Sequence, residues 1–333
     1  ITPWNTPFML STWKIAPALA AGCTVVHKPA EASPLTARLL VEIAEDAGLP
    51  PGVLNTVNGF GEEAGKALCE HPAVKAIAFV GESRTGSMII KQGADTLKRN
   101  HLELGGKNPV VVDKNTDIQA AAGTIAFFRN MNSGQVCLCP ENIWVHEDSK
   151  DEFIAVAQGT YQALYYQDGA LNNDVQGKII DAKNLARIKG YLDDAVAKGA
   201  NVVCGGEIDE DTLSVHPTIL TNVSSDANIQ SEEVFGPILS IFTYKEVSEV
   251  YQALHSEPKP LALYVFTEND DFVEDVLANT SSGGVTINGC IMHCAEPNLP
   301  FGGVGNSGMG RYHSIHGFRE LSHERAVFTM ATA

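Results

Sequence analysis

Cys137 is the first residue of this 333-residue sequence with the makings of a reactive group. It follows the polar segment Asn132-Ser133-Gly134-Gln135-Val136, whose small residues would leave the thiol open to a substrate. A catalytic cysteine needs that access and a lowered pKa, because the thiolate is the nucleophile. The alternative is that Cys137 is a small buried hydrophobic residue, as many cysteines are.

Glu103 is the second candidate. It lies between Leu102 and Leu104 at the end of a predicted strand, directly before Gly105-Gly106-Lys107. If the carboxyl group is buried there, its pKa rises, which suits a general base. The alternative is a solvated glutamate on a strand with alternating burial.

Metal and phosphate sites have weaker support. Cys137 and Cys139 lack a second pair at zinc-ligand spacing, and Cys290, His293 and Cys294 lack a fourth ligand, so we expect no metal. Gly59-Phe60-Gly61 with Gly65 opens a predicted helix after a strand, which indicates an anion site at that helix N-terminus.

Helices and strands alternate along the whole chain, which predicts an α/β fold with parallel sheets. A domain boundary is expected near Gly105-Gly106. The predicted helices are 7–21, 33–47, 62–70, 85–93, 118–130, 150–166 and 182–198. The predicted strands are 24–27, 53–57, 74–80, 100–104, 110–112, 143–145, 202–203, 219–220, 238–243, 263–266 and 285–287. In such sheets ligands collect at the carboxyl ends of the strands.

Composition excludes several classes of protein. Hydrophobic residues make up 44% and charged residues 19%, which excludes disorder as the main state. The net charge of −17 argues against a nucleic-acid partner, which requires a basic face. The sequence has no apolar stretch of about 20 residues, the length that a membrane span requires. Seven scattered cysteines are typical of a reducing compartment, and we expect the cytoplasm.

Eight segments, in order, resemble the NAD(P)-dependent aldehyde dehydrogenase superfamily, from Ile1 to about His323. The segments are Pro3-Trp4-Asn5, Lys28-Pro29-Ala30-Glu31, Gly59-Phe60-Gly61 with Gly65, Phe79-Val80-Gly81, Leu102-Glu103-Leu104-Gly105-Gly106-Lys107, Gly134-Gln135-Val136-Cys137, Glu232-Glu233-Val234-Phe235-Gly236-Pro237 and Pro300-Phe301-Gly302-Gly303. The resemblance implies the fold of that family without its N-terminal part: a Rossmann-like cofactor domain and a second α/β catalytic domain.

The resemblance also implies a mechanism. Cys137 is expected to attack an aldehyde, and Asn5 with the Cys137 backbone N–H to stabilise the resulting oxyanion. Glu103 is expected to activate the water that hydrolyses the thioester to a carboxylic acid. Two alternatives remain: a CoA-acylating semialdehyde dehydrogenase, which does not need a base at position 103, and a catalytically impaired truncated or structural relative.

Cofactor and pocket residues carry over from the same resemblance. Glu31 is expected to favour the free ribose hydroxyls of NAD and to repel the 2′-phosphate of NADP. The expected cofactor-binding residues are Thr2, Trp4, Lys28, Glu31, Gly61, Gly65, Phe79, Gly81, Glu233 and Phe235. The expected pocket residues are Leu10, Trp13, Met131 and Phe301, each of which could equally be ordinary core.

The family pattern further implies a partition into residues 1–104 for the cofactor, 105–304 for catalysis and 305–333 for a return to the cofactor domain. Residues 322–333 are expected to form an arm in a homodimer or homotetramer. Relatives carry well over a hundred further residues before Ile1, so we expect a fragment, a processed chain or a partial gene, with weaker cofactor affinity and lower stability. Glu82 stands where many relatives have Ser, and we assign it no role in cofactor binding.

Overall fold

The computed structural model describes residues 1–331, which form two compact units. Unit 1 contains Ile1–Leu102 and Pro297–Phe301, together with the chain from Gly310 onward. Unit 2 contains Glu103–Glu296 and Gly302–Met309. The division lies two residues before the predicted boundary of 104, and the chain returns to unit 1 twice rather than once. The functions expected of the two parts stay predictions.

Unit 1 has short parallel strands between helices. Its elements are α1 (Pro7–Ala20), β1 (Val25–His27), α2 (Pro34–Asp46), β2 (Leu54–Thr56), α3 (Lys66–Glu70), β3 (Ala76–Gly81) and α4 (Ser83–Gly93), followed by β4 (Arg99–Leu104), which crosses the division. Strands β1 and β2 pair in parallel, and β3 is a neighbour of β4. A proline occupies the first turn of both α1 and α2, where its missing N–H costs nothing.

The first two residues connect the two strand pairs of unit 1. The Ile1 amino group donates to Ala78 O at 2.8 Å, and Val80 N donates to Ile1 O at 3.3 Å. Thr2 N donates to Lys28 O at 3.1 Å. The backbone of Ile1 and Thr2 therefore occupies a strand position between β3 and the end of β1.

Unit 2 is built on a seven-stranded sheet in the order β15-β14-β5-β6-β13-β12-β9. All neighbours are parallel except the edge strand β9. The strands are β5 (Pro109–Val112), β6 (Asn142–His146), β9 (Asn201–Cys204), β12 (Thr218–Thr221), β13 (Ile238–Tyr244), β14 (Ala262–Phe266) and β15 (Gly284–Ile287). Val110, Val111 and Val112 are fully buried, as a central parallel strand covered on both faces requires.

Helices cover this sheet. They are α5 (Ile118–Asn130), α6 (Lys150–Tyr165), α7 (Asn173–Gln176), α8 (Ala182–Ala197), α9 (Asn228–Ser231), α10 (Val247–Ser256) and α11 (Asp270–Asn279). The short strands β7 (Tyr166–Gln167), β8 (Ala170–Leu171), β10 (Ile208–Asp209), β11 (Ser214–Val215) and β16 (Gly308–Met309) lie outside it, and α12 (Ser314–Glu320) belongs to unit 1. The Asp117 carboxylate caps α5 by accepting from Ala120 N at 3.0 Å.

The predicted helix 62–70 begins differently from the expectation. Residues Gly61–Gly65 form a π-helical turn, and the α-helix begins only at Lys66. Glycine at both ends of this turn makes a regular α-helical start costly.

The expected arm has no regular structure. Residues 322–331 form neither helix nor strand, and Val327, Phe328 and Met330 are exposed. The last two residues of the arm lie outside the described chain, and its pairing with a second copy stays a prediction. No helix within the described chain is long and apolar enough to cross a bilayer.

Candidate active site

Three segments converge at one edge of the unit 2 sheet. Residues 103–108 precede β5, residues 137–141 precede β6, and residues 233–237 precede β13. Because β5, β6 and β13 are adjacent and parallel, their amino ends share an edge. Ligands were expected at the carboxyl ends of strands, and Lys28, Gly81 and Glu103 lie at the carboxyl ends of β1, β3 and β4; ligand binding there stays a prediction. Relative to β5, β6 and β13, the candidate groups of unit 2 lie at the amino ends.

The two candidate catalytic groups of unit 2 are in contact. Cys137 Sγ lies 3.6 Å from Glu103 Oε1 and is placed to donate its hydrogen to that oxygen. The Glu103 side chain is buried, whereas Cys137 is half-buried. A thiol and a carboxylate 34 positions apart in the sequence therefore share one location.

The electrostatic surroundings keep this thiol protonated. Burial raises the pKa of Cys137 well above its ordinary value, and the neighbouring carboxyl groups of Glu103 and Glu233 raise it further. Cys137 therefore does not have the lowered pKa that is typical of reactive cysteines. Activation of Cys137 requires transfer of its proton to an acceptor, and Glu103 Oε1 is in position.

Glu233 lies against the backbone of Gly105. A Cβ atom at Gly105 would overlap the Glu233 carboxyl group, so only glycine allows this approach. Burial raises the pKa of Glu233 to about 8, and the nearby Glu141 carboxylate adds to the shift. Glu233 thus carries a proton near neutral pH and can donate a hydrogen bond.

A buried ion-pair network joins the three segments. Lys107 Nζ lies 2.6 Å from Glu141 Oε2, and Arg129 Nη1 lies 3.2 Å from Glu141 Oε1. Val234 N donates to Glu141 Oε1 at 3.0 Å, which ties in the loop before β13. Arg129 also donates to Pro140 O at 3.0 Å and to Gly236 O. We refer to Lys107, Arg129 and Glu141 as the charged triad.

Sequence reasoning missed the charged triad. Arg129 is fully buried, and Lys107 and Glu141 are nearly so. A signal was available in Lys107, a cation directly after two glycines, and in Glu141, a carboxylate next to an apolar strand. Charged residues are almost never buried without partners, so burial of either residue would have required a partner of opposite charge.

The turn before Cys137 requires its small residues. Asn132 and Ser133 have φ of 51° and 56°, in the left-handed region, and Gly134 has φ of 75°. A Cβ at Gly134 would collide with the backbone of Gly236. Gln135 holds the turn from the other side, because its Nε2 donates to Asn132 O at 3.0 Å and to Lys178 O at 2.9 Å.

In unit 1, Lys28 and Glu31 form an ion pair. Lys28 Nζ lies 3.2 Å from Glu31 Oε2 and donates to Pro29 O at 3.0 Å. The Lys28 side chain is buried, but 53% of the Glu31 side chain is exposed. The carboxylate is therefore fixed in direction and open to a ligand hydroxyl group.

The other expected cofactor residues differ in accessibility. A Cβ at Gly61 or Gly65 would meet no atom within 4 Å, but only Gly61 is exposed, whereas Gly65 is buried in the π-helical turn. The ring of Phe79 packs against Gly81, so a Cβ atom added at Gly81 would lie 2.5 Å from Phe79 Cζ. The Thr2 hydroxyl lies in a buried cluster, 2.8 Å from His27 Nε2 and 3.3 Å from Ser11 Oγ. Trp4 and Phe235 are both half-buried.

The expected pocket residues are divided between the units. Trp13 and Phe301 of unit 1 make an edge-to-face contact with ring centroids 5.8 Å apart. Leu10 is buried in α1, and Asn5 precedes that helix. Met131 of unit 2 is half-buried at the start of the turn that carries Cys137. The roles of these residues stay predictions.

The cluster Cys290, His293 and Cys294 has a structural arrangement. His293 Nδ1 lies 2.7 Å from Thr286 Oγ1, and both cysteines are buried thiols. Within residues 1–331, no three His, Cys, Asp or Glu side chains are grouped so as to hold a metal ion.

Comparison with known proteins decides the family. The sequence model described as "Aldehyde dehydrogenase family" matches residues 1–327. The 4,4′-diaponeurosporen-aldehyde dehydrogenase of Staphylococcus aureus is 37% identical over 332 residues, which cover 100% of this chain and 71% of that protein. The chain belongs to the aldehyde dehydrogenase family. It is an NAD(P)-dependent oxidoreductase, as the resemblance of its eight segments predicted.

Solved structures confirm the fold of this aldehyde dehydrogenase. Substrate-bound AldH of Staphylococcus aureus matches with a TM-score of 0.91 at 36% identity, covering 100% of this chain and 71% of that one. AldC of Pseudomonas syringae, crystallised with NAD⁺ and octanal, matches with a TM-score of 0.89 at 35% identity. The match covers 96% of this chain and 66% of the AldC chain. The predicted α/β class with parallel sheets is therefore confirmed.

Replacing Glu141 with Gln should destabilise unit 2 strongly. Burial alone would raise the pKa of Glu141, but Lys107 and Arg129 outweigh it and hold the pKa below its ordinary value. Loss of the carboxylate leaves two buried cations unpaired, which costs about 3–5 kcal/mol. Denaturant unfolding at pH 7 should show this decrease in the free energy of unfolding.

The matched control is Glu147→Gln, which removes an exposed carboxylate 3.4 Å from Lys245 and should cost at most about 1 kcal/mol. Because the pKa of folded Glu141 is lowered, its stabilisation exists above the ordinary glutamate pKa and is lost as pH falls through the lowered value. The difference between wild type and Glu141→Gln should shrink in acid. Equal decreases in the free energy of unfolding for Glu141→Gln and Glu147→Gln at pH 7 would contradict the buried ion-pair network.

Replacing Glu103 with Gln should lower the pKa of Cys137. The variant loses a negative charge and a carboxylate acceptor that favour the protonated thiol, while burial remains. The pH profile of Cys137 alkylation by iodoacetamide should move to lower pH. Glu257→Gln, another partly buried carboxyl group of unit 2, is the control and should leave the profile in place. A shift to higher pH in Glu103→Gln would refute the assigned contact.

Proposed function

We propose that this chain oxidises an aldehyde to a carboxylic acid with NAD through a covalent intermediate on Cys137. The observation that carries the proposal is the 3.6 Å contact between Cys137 Sγ and Glu103 Oε1 in a buried site. It joins a nucleophile to a base, as both half-reactions need.

In the first half-reaction, the Cys137 proton passes to Glu103 and the sulfur attacks the aldehyde carbon. The carbonyl oxygen becomes an oxyanion, for which Asn5 and the Cys137 N–H are the proposed donors. One such donor contributes about 3–4 kcal/mol of transition-state stabilisation. NAD, when bound, would supply the hydride acceptor; loss of hydride from the former aldehyde carbon as the oxyanion collapses leaves a thioester on Cys137.

In the second half-reaction, Glu103 first releases the thiol proton to solvent and then accepts a proton from water. The hydroxide attacks the thioester, the carboxylic acid leaves and the Cys137 thiolate recovers a proton. General-base catalysis of this kind contributes roughly 10²–10⁴-fold. A base at this position is what distinguishes hydrolysis from transfer of the acyl group to CoA.

The residues of unit 1 suit NAD better than NADP. The exposed Glu31 carboxylate, oriented by Lys28, can accept hydrogen bonds from two free ribose hydroxyl groups. A 2′-phosphate would meet the same negative charge. The exposed backbone at Gly61 leaves space for the cofactor.

The proposed pocket residues Leu10, Trp13, Met131 and Phe301 are apolar or aromatic. They fit an aldehyde with an aliphatic or an aromatic substituent rather than a charged one. The octanal bound by the Pseudomonas syringae enzyme is an aldehyde of the first kind.

NADH formation with a short aldehyde tests the mechanism. The wild-type chain should produce NADH without CoA, and Cys137→Ala should abolish production, including the first turnover. Glu103→Gln should keep a first-turnover burst, slower because the Cys137 proton must then pass to solvent, but should lose steady turnover, since the thioester is no longer hydrolysed. Cys204→Ala, which removes another half-buried thiol of unit 2, is the matched control. NADH only when CoA is added would favour the acylating class, and none from folded wild type would favour an impaired relative.

Replacing Glu31 with Gln tests the cofactor preference. The variant keeps a hydrogen-bond acceptor but loses the charge, so the ratio of kcat/KM for NAD over NADP should fall by about tenfold, which corresponds to 1.4 kcal/mol. Glu42→Gln, an exposed carboxylate on α2 paired with Arg38, should not change the ratio. An unchanged ratio in Glu31→Gln would remove Glu31 from this role.

A further inference from the structure

The backbone around Cys137 is held at five consecutive carbonyl oxygens, those of residues 136–140. The first, Val136 O, accepts from Cys139 N at 3.0 Å within the segment. The last, Pro140 O, accepts from Arg129 of the charged triad. The three carbonyl oxygens between them are held by two side chains from elsewhere in unit 2, Asn108 and Tyr264.

Asn108 holds two of these oxygens at once. Its Nδ2 donates to Cys137 O at 2.8 Å and to Cys139 O at 3.0 Å, which uses both of its amide hydrogens. Its Oδ1 accepts from Ala262 N at 2.9 Å, at the start of β14. Asn108 is buried just before β5, which lies between β14 and β6. The amide therefore fixes the segment before β6 to the strand on the other side of β5.

Tyr264 holds the remaining oxygen. It belongs to β14 and is fully buried, and its Oη donates to Leu138 O at 2.5 Å. Burial raises the pKa of Tyr264 far above its ordinary value, so the hydroxyl group remains a donor throughout the working pH range. Its single hydrogen is used on the residue that follows the nucleophile.

We propose that Asn108 and Tyr264 are positioning residues for the reaction: they fix the peptide planes that follow Cys137 and so keep its sulfur against Glu103. The proposal rests on the function proposed above for Cys137 and Glu103. Neither side chain needs to touch the substrate, because each acts through the backbone that carries the sulfur.

The geometry explains why backbone anchoring matters here. The turn before Cys137 contains two non-glycine residues in the left-handed region, Asn132 and Ser133, a conformation that the surrounding structure must enforce. A buried carbonyl that loses its donor pays the cost of desolvation unless it turns away. Turning at Leu138 would rotate the peptide next to Cys137 and withdraw the sulfur from Glu103 Oε1.

Tyr264→Phe is the smallest test, because it removes one hydroxyl group and keeps the ring. The matched control is Tyr244→Phe in β13, whose Oη donates to Val112 O at 2.9 Å and whose side chain is also buried. Both variants lose a tyrosine-to-carbonyl hydrogen bond in the same sheet. Only Tyr264→Phe should affect Cys137.

Two measurements are expected to separate the variants. In Tyr264→Phe, the first-turnover NADH burst should slow by about tenfold, the equivalent of 1.4 kcal/mol, with KM for aldehyde and for NAD nearly unchanged. Its iodoacetamide alkylation profile should move to lower pH, since loss of the Glu103 contact lowers the pKa of Cys137. Tyr244→Phe should match the wild type in both measurements.

The alkylation profile decides the proposal even when wild type makes no NADH, an outcome that would count against the proposed function alone. A Tyr264→Phe chain with the wild-type profile, or a Tyr244→Phe chain with the same shift, overturns it. If Tyr264→Phe does not fold, Asn108→Ser replaces it in both assays with the same expected results. Failure of both to fold while Tyr244→Phe folds also overturns the proposal, because the two residues would then serve the fold rather than the nucleophile.

Discussion

Two buried cations, Lys107 and Arg129, share the single buried carboxylate of Glu141. Removal of charge from water is costly, and it is repaid only when geometry and further hydrogen bonds are good. Here the extra bonds go to Val234 N, Pro140 O and Gly236 O, so the same interaction that satisfies the charges fixes the loops around them. The candidate active site of unit 2 is assembled on this interaction, because each of its three segments contributes to it.

A second consequence is electrostatic. Glu141 remains ionised between its two cations. Glu233 lies close to the same triad but is protonated near neutral pH, because the nearby cations do not offset the effect of its burial and of the Glu141 charge. Cys137, with carboxyl groups as neighbours, keeps its proton. The site therefore holds its reactive group in an unreactive form at rest. A protonated thiol is oxidised less readily than a thiolate.

The sequence predicted the fold well wherever local pattern decided it. Helix α5 was predicted with the observed bounds Ile118–Asn130, and the structure adds that Asp117, directly before it, caps the helix. Helices α10 and α11 were not predicted, since short amphipathic stretches between strands resemble loops without their tertiary partners. The left-handed turn before Cys137 was expected only as a polar loop. Its φ angles depend on contacts with Gly236 and Lys178 that no local pattern shows.

The same division applies to the site. Cys137 and Glu103 were found from residue type and context, and the structure brings them into contact. Asn5, the cofactor residues and the pocket residues remain predictions. Asn108 and Tyr264 were not found, because Tyr264 meets its partner Leu138 across 126 positions and nothing in the sequence near either residue announces the pair.

The contact between Gly134 and Gly236 has a consequence for mobility. No side chain separates these two backbones, and there is no room for one. Arg129 joins the same two segments, because it donates to Pro140 O before β6 and to Gly236 O before β13. The loop that carries Glu233 and the turn that carries Cys137 thus behave as one mechanical part. Displacement of either loop in this aldehyde dehydrogenase therefore requires displacement of the other, or loss of these contacts.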